Sequence, residues 1–191
     1  MTRKEAILKT ATRLFAKKGF FSTPTSEVAK VAGVAEGTLF HHFKSKEGIL
    51  MKIFEDIMDI YIKGIEQRIK RSDSGLDAIE KILIFHFNFI EKRSNEALII
   101  LRDLPSQFMD KNSPFKDSVK DYILRVLKLL KACIERGEKD GSIKIISSER
   151  GALILYGMIN GLSRQKLLAP FLKSPNLRKE VIDFCRYGLG G

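Results

Sequence analysis

The 191-residue chain is 44% hydrophobic and carries 34 Lys+Arg against 23 Asp+Glu, a formal net charge of +11. This composition supports a globular core, excludes a disordered tail, and favours a polyanionic partner, either nucleic acid or an anionic membrane surface. Cys133 and Cys185 are too few and too far apart for a disulfide scaffold or a CxxC metal site, and no apolar run approaches the roughly 20 residues that span a bilayer, so a reduced, cytoplasmic setting with no membrane insertion is expected.

Helix signals recur from the first residues. Thr2 and Glu5 form a T-x-x-E capping box, after which Ile7, Ala11, Leu14 and Phe15 share one helical face until Gly19. Three later starts pair a hydroxyl cap with a following proline: Thr23-Pro24, Ser113-Pro114 and Ser174-Pro175. Val28, Ala29 and Ala32 mark the inward face of a short second helix, and Leu39 and Phe43, four apart, that of a third, from about Ala35 to His42. Ser45 caps a long helix running through Ile49, Ile53, Ile57, Ile60 and Tyr61 to about Arg71, where RSDSG reads as a loop. Helices then follow from Leu76 to about Arg93, Asn95 to Leu104 before Pro105, Pro114 to about Lys139, Glu149 to about Ala169, and Asn176 to about Leu189. The expected fold is all-α, with roughly nine helices, no convincing strand and no internal repeat.

Between the second and third helices, Gly33 and Val34 leave room only for a tight turn. Small Ala29 and Ala32 permit close approach, Gly33 can adopt the left-handed conformation, and Val34 can plug the angle. A helix-turn-helix is expected, its second helix presenting Glu36, Gly37, Phe40 and His41 to a major groove while Thr25, Thr38, His42 and Lys46 serve as phosphate partners. Charge agrees: residues 1–50 hold nine Lys+Arg and four Asp+Glu, net +5, a denser positive charge than in the other 141 residues.

The segments AILKTATRLFAKKGF and VAKVAGVAEGTLFHHFKSKEGIL together resemble the DNA-binding domain of the TetR family of transcriptional regulators, over roughly residues 3–50. The resemblance implies an all-helical homodimer with a DNA-binding domain at 1–48 and a ligand-binding and dimerisation domain at 49–191, joined by the helix from Ser45. It implies double-stranded, palindromic operator DNA as a partner and a small-molecule effector, with repression as the prevalent mode. Residues matching Thr25, Thr38, His42 and Lys46 would meet phosphate, with Lys44 beside them, and those matching Ser26, Glu36, Gly37 and Phe40 would face bases. Ala35 stands where a serine cap is common and Phe40 where a tyrosine is common, which removes two polar contacts.

Several of these residues admit a second reading. Glu36 could accept from a cytosine amino group or simply favour the dipole of the helix it begins. His41 and His42 point about 100° apart on a helix and make a poor metal pair, so no metal or cofactor is expected.

In the distal region, AIEKILIFHFNFIEK is apolar nearly all round and should lie inside. Its His86 and Asn88 either hold the polar end of a mostly apolar effector or bond to neighbouring helices. Phe89 belongs either to the wall of that site or to the core, and Tyr61, Arg102, Tyr122, Tyr156 and Asn160 are further effector-binding candidates. Gly157 and Gly161, with Val181 and Phe184 of the last helix, form the candidate dimer surface, against a role in packing within one chain. No nucleophile elbow, phosphate-binding glycine loop or metal-ligand cluster suggests catalysis. A membrane-surface or protein-interaction helical module is the alternative, but it would not require the tight turn with its ring of hydroxyls and cations.

Overall fold

In the structure, a computed structural model that describes residues 1–103, 115–144, 147–168 and 176–190, the expected period-3.6 segments are helices. Among the described residues these are α1 (Arg3–Lys18), α2 (Thr25–Ala32), α3 (Glu36–Phe43), α4 (Lys46–Lys70), α5 (Gly75–Lys92), α6 (Ser94–Arg102), α7 (Lys116–Asp140), α8 (Ser148–Leu168) and α9 (Leu177–Gly190). The all-α expectation holds, with nine helices among the described residues. The proposed starts at Ser113-Pro114 and Ser174-Pro175, and the ends at Leu104 with Pro105 and at Ala169, lie outside the described residues.

The chain divides into two compact units, Met1–Asp59 with Arg93–Lys116, and Ile60–Lys92 with Asp117–Gly191. This is not the expected division at 48/49. The first half of α4 and the whole of α6 belong with the N-terminal helices, because Ala97 and Ile99 bury the inner face of α6 in the unit where α6 packs on α1. Periodicity reveals that a helix has an apolar face; it cannot tell which core that face meets.

In the first unit, Thr2 caps α1 reciprocally with Glu5, and Ile7, Ala11, Leu14 and Phe15 are buried beneath it. The second cap differs from expectation. Thr23 donates its hydroxyl to the Gly19 carbonyl at 2.8 Å, so Pro24 occupies the cap position and α2 starts at Thr25. Gly33 closes α2 with φ +69, the left-handed geometry that a Cβ would strain, and Val34 donates back to Ala29 at 3.0 Å. Leu39 and Phe43 of α3 then join Val28 and Ala29 in the same core. Ser45 caps α4 as expected, its Oγ accepting from the Gly48 amide at 3.0 Å.

In the second unit, α5 packs against α8 and α9. Its start is capped locally and from a distance: Ser74 Oγ accepts from Asp77 N at 3.1 Å, Asp140 from Gly75 N at 2.8 Å, and Ser142 Oγ from Leu76 N at 3.1 Å. Gly75 is required there, since a Cβ would lie 2.1 Å from the Gly137 amide nitrogen. Residues Ala78, Ile79, Ile82, Leu83, His86, Phe87, Phe89 and Ile90 are buried, although Ile84 keeps 40% of its surface exposed, so α5 is less completely enclosed than its composition suggests. Cys133 and Cys185 are free and buried, each thiol pushed up to about 11 by burial, which makes both poor nucleophiles. Among the described residues, no helix is long and apolar enough to cross a membrane.

Candidate functional site

The turn at Gly33 brings the starts of α2 and α3 together on one face. Thr25, the first residue of α2, donates its hydroxyl to Glu36 Oε1, the first residue of α3, at 2.7 Å. A hydroxyl is the only possible donor in that pair if the carboxylate is ionised. Glu36 therefore does both structural and chemical duty: it sits at the favourable end of the α3 dipole and offers an acceptor outward.

Along α3, Leu39 and Phe43 are buried while Glu36, Gly37, Phe40, His41 and His42 are exposed, as is Ser26 on α2. A side chain added at Gly37 would meet nothing within 4 Å, so this surface can approach another molecule closely. Thr38 is half-buried at its edge. Lys44 leaves α3 with φ +65, an uncommon conformation for a residue with a Cβ, and its Nζ donates to the His41 carbonyl at 3.3 Å. Lys46, the first residue of α4, is held by the α1–α2 turn: its Nζ donates to the Phe21 carbonyl at 3.2 Å and lies 4.6 Å from the Phe20 ring centroid. Partial burial, opposed by the Glu47 charge, lowers the pKa of Lys46 from its ordinary value. The arrangement is a convex helix with a carboxylate, an aromatic ring and two imidazoles outward, flanked by hydroxyls and ammonium groups. It has the chemistry for base edges at the centre and phosphates at the rim. Among the described residues, no His, Cys, Asp or Glu cluster could hold a metal ion.

The effector candidates separate into groups. Tyr61, His86, Phe89 and Tyr122 come together in the second unit, with the Tyr61 ring centroid 5.1 Å from Phe89 and 6.5 Å from Tyr122. Burial raises the pKa of all three phenols of Tyr61, Tyr122 and Tyr156, and the charges they would carry raise it further for Tyr61 and Tyr122. His86 spans this aromatic group and α8. Its Nδ1 lies 2.7 Å from the Tyr61 hydroxyl and its Nε2 lies 2.7 Å from Ser163 Oγ. Ser163 in turn donates to the Ile159 carbonyl at 2.7 Å, so it must accept from His86 Nε2–H, and His86 Nδ1 must accept from Tyr61. Every link of this buried chain is satisfied with a neutral imidazole, and burial pushes His86 down to about 4. Of the two readings of His86, bonding to neighbouring helices is the one these contacts display. Asn88 likewise accepts from Arg178 of α9. Asn160 donates to the Tyr156 carbonyl of its own helix at 2.8 Å.

Two candidates are misplaced in the sequence reading. Arg102 does not join the effector group; it lies in the first unit, donating to the Phe15 and Ala16 carbonyls of α1 and to Asp103. Val181 is 6% exposed in a single chain, because its side of α9 covers α5, so it belongs to the core rather than to a dimer surface. Phe184 is 68% exposed, and Gly157 and Gly161 lie on an exposed stripe of α8 with Leu153 and Ile154. Ser163 and Asp103 were missed. Ser163 could have been found from its spacing, four residues after Ile159 on the inward side of α8. Asp103 gives no such signal for its contact to the α1–α2 turn, since the Phe20 amide that it accepts from lies 83 residues away.

Residues 7–53 match the family described as "Bacterial regulatory proteins, tetR family". The chain is 28% identical over 138 residues to the fatty acid metabolism regulator protein of Bacillus subtilis, covering 72% of this chain and 69% of that one. It is 28% identical over 187 residues to the HTH-type transcriptional regulator AcrR of Shigella flexneri, covering 95% and 85%. Among solved structures it resembles the transcriptional regulator FadR from Bacillus subtilis in complex with stearoyl-CoA, with a TM-score of 0.83 at 22% identity, over 96% of this chain and 98% of that one.

Proposed function

Because the chain belongs to the tetR family of bacterial regulatory proteins and is a transcriptional regulator, we propose that it acts as a homodimeric repressor, released from a palindromic operator by an amphipathic small molecule. The observation that carries the DNA reading is the exposed outer face of α3. Glu36, Gly37, Phe40 and His41 stand clear of the core, with Ser26 beside them, while Thr25, Thr38, His42, Lys44 and Lys46 border the face. An eight-residue helix fits a major groove, and two such heads related by a twofold axis would read half-sites about one helical turn apart, or a multiple of it.

For the effector we infer a long-chain acyl-CoA. Two observations support that class: a relative named as a fatty acid metabolism regulator, and a fold neighbour holding stearoyl-CoA. The second unit suits an acyl chain, since Tyr61, Phe85, Phe89 and Tyr122 supply apolar surface around one short polar chain through His86. The coenzyme moiety carries the negative charge that a +11 protein tolerates.

The test begins with selection of bound duplexes from a random pool, which should return an inverted repeat. Titrating stearoyl-CoA into the selected complex should then release the DNA, whereas free coenzyme A at the same concentration should not. Recovery of unrelated sequences without symmetry, or equal retention on anionic vesicles and duplex DNA, would sink the reading.

A further inference from the structure

We propose that Arg102 and Asp103, at the end of α6, are positioning residues for the DNA-contacting face, clamping the turn between α1 and α2 and through it the Lys46 ammonium. The inference rests on the reading of Lys46 as a phosphate contact given above, and it adds two residues outside the sequence of the DNA-binding motif.

The clamp is built from contacts within the first unit. Where α1 ends, its last carbonyls have acceptor capacity to spare, that of Phe15 taking the Gly19 amide at 2.8 Å with room for a second donor. The Arg102 guanidinium takes two of them in succession, donating from Nη2 to Phe15 O at 2.6 Å and from Nη1 to Ala16 O at 3.1 Å. A planar fork spans consecutive carbonyls where an ammonium could not, and its charge is favourable at a helix C-terminus. The same guanidinium donates to both carboxylate oxygens of Asp103, each at 2.9 Å. Asp103 is 6% exposed, and its Oδ2 also accepts from the Phe20 amide at 3.3 Å. Packing alone would be served by an apolar residue at such a site; a buried carboxylate is tolerated only while its partners stay in place.

Phe20 links the clamp to the DNA face. Its ring packs edge-on against Phe15 at 5.3 Å and lies beneath the Lys46 ammonium, while the next carbonyl, that of Phe21, accepts from Lys46. Two steps thus run from α6 to Lys46, the first from Asp103 to the Phe20 amide and the second from the Phe20 ring and Phe21 carbonyl to the ammonium. The ammonium retains two further donors, aimed by the turn that Arg102 and Asp103 hold. The α6 helix also follows α5 after a single non-helical residue, Arg93.

The test is a double-mutant cycle on operator affinity, measured across salt concentrations in the full chain. The clamp is removed by Arg102→Met with Asp103→Leu, which takes out both charges and leaves neither buried alone. Lys46→Ala removes the proposed phosphate contact. Each change should weaken binding about tenfold and lower the salt slope by about 1. Combined, they should lose no more than Lys46→Ala alone, because a clamp that acts through Lys46 has nothing left to position. Additive losses, or a folded clamp variant with the wild-type slope, would overturn the proposal; circular dichroism and the melting temperature establish folding. Amide exchange in the wild-type chain gives a second readout. The Phe20 amide should open together with the amides of α6, whereas exchange at the rate of an unprotected turn would refute the clamp. If the wild-type chain selects no duplex, the functional reading fails and exchange still decides whether the clamp exists.

Discussion

The hydroxyl of Thr25 reaches the carboxylate of Glu36 at 2.7 Å, tying the first residue of α2 to the first residue of the recognition helix. That contact changes what each residue can do. Thr25 has one hydroxyl proton and spends it on Glu36, and Glu36 keeps its other oxygen as a fixed acceptor. A major groove offers donors at cytosine N4 and adenine N6, but the adenine donor is flanked by acceptors on both sides, so a carboxylate favours cytosine. Thr25→Val should therefore change base preference at one position of each half-site by about fivefold to tenfold, with the salt slope unaltered. Glu36→Gln should relax the same position. A Thr25→Val variant that loses affinity uniformly across sequences would instead make Thr25 the phosphate contact implied by the family resemblance.

The chain from Tyr61 through His86 to Ser163 gives the second unit an acid-sensitive element. His86 titrates near 6.5 in an unfolded chain and at about 4 when buried. Below pH 6.5 the unfolded chain therefore takes up a proton that the folded one refuses. The stability difference is fully present above pH 6.5, is lost as pH falls towards about 4, and then levels off. It amounts to about 3 kcal/mol, of which about 2 kcal/mol should be gone by pH 5. Urea unfolding at pH 7 and pH 5 would measure it. In His86→Leu, the difference between the two pH values should shrink by that amount; an unchanged difference would show that another group is responsible.

Ser163→Ala probes the same chain without touching a titrating group. It strands the Nε2–H of His86 in the core, which should destabilise the fold by about 1–3 kcal/mol at pH 7. A loss below about 0.5 kcal/mol in urea unfolding would mean that water or a shifted side chain has replaced Ser163.

Leu153 and Ile154 on α8, in a stripe with Gly157 and Gly161, and Phe184 and Tyr187 on α9 are large apolar side chains left exposed to water in a single chain. A second copy of the chain is their proposed cover. Sedimentation of the wild-type protein without DNA should give a dimer, and Gly157→Glu should give a monomer at micromolar concentration with an unchanged helical spectrum. The space around Gly157 accommodates the added side chain in a single protomer, so unfolding is not the expected cause. A dimer that survives both Gly157→Glu and Phe184→Glu would move the interface elsewhere.

Effector and operator should oppose one another by the same factor. A coupling of about 1–3 kcal/mol corresponds to about 5- to 150-fold in affinity, and nearly complete switching from 99:1 to 1:99 needs about 5.5 kcal/mol. Stearoyl-CoA affinity measured by calorimetry, with and without a saturating operator duplex, should differ by the factor seen in DNA release. Equal affinities would exclude allosteric coupling for that compound, however tightly it bound.

Local chemistry was legible where it acts over a few residues. Thr2 with Glu5, Gly19, Gly33, and Ser45 each specify a helix end through contacts three or four residues away, and the outward positions of α3 follow from the burial of Leu39 and Phe43. Such contacts depend on backbone geometry that every helix shares, so spacing alone identifies them. The Thr25 contact to Glu36, the clamp of Arg102 and Asp103 on α1, the cap of α5 by Asp140 and Ser142, and the placement of His86 between Tyr61 and Ser163 were decided by tertiary structure. Each joins groups 11 to 87 residues apart, and the sequence declares only their hydrogen-bonding capacity. Which donor meets which acceptor depends on how the helices pack, and that is why Arg102 was assigned to an effector and Val181 to a partner chain when both are held within their own fold.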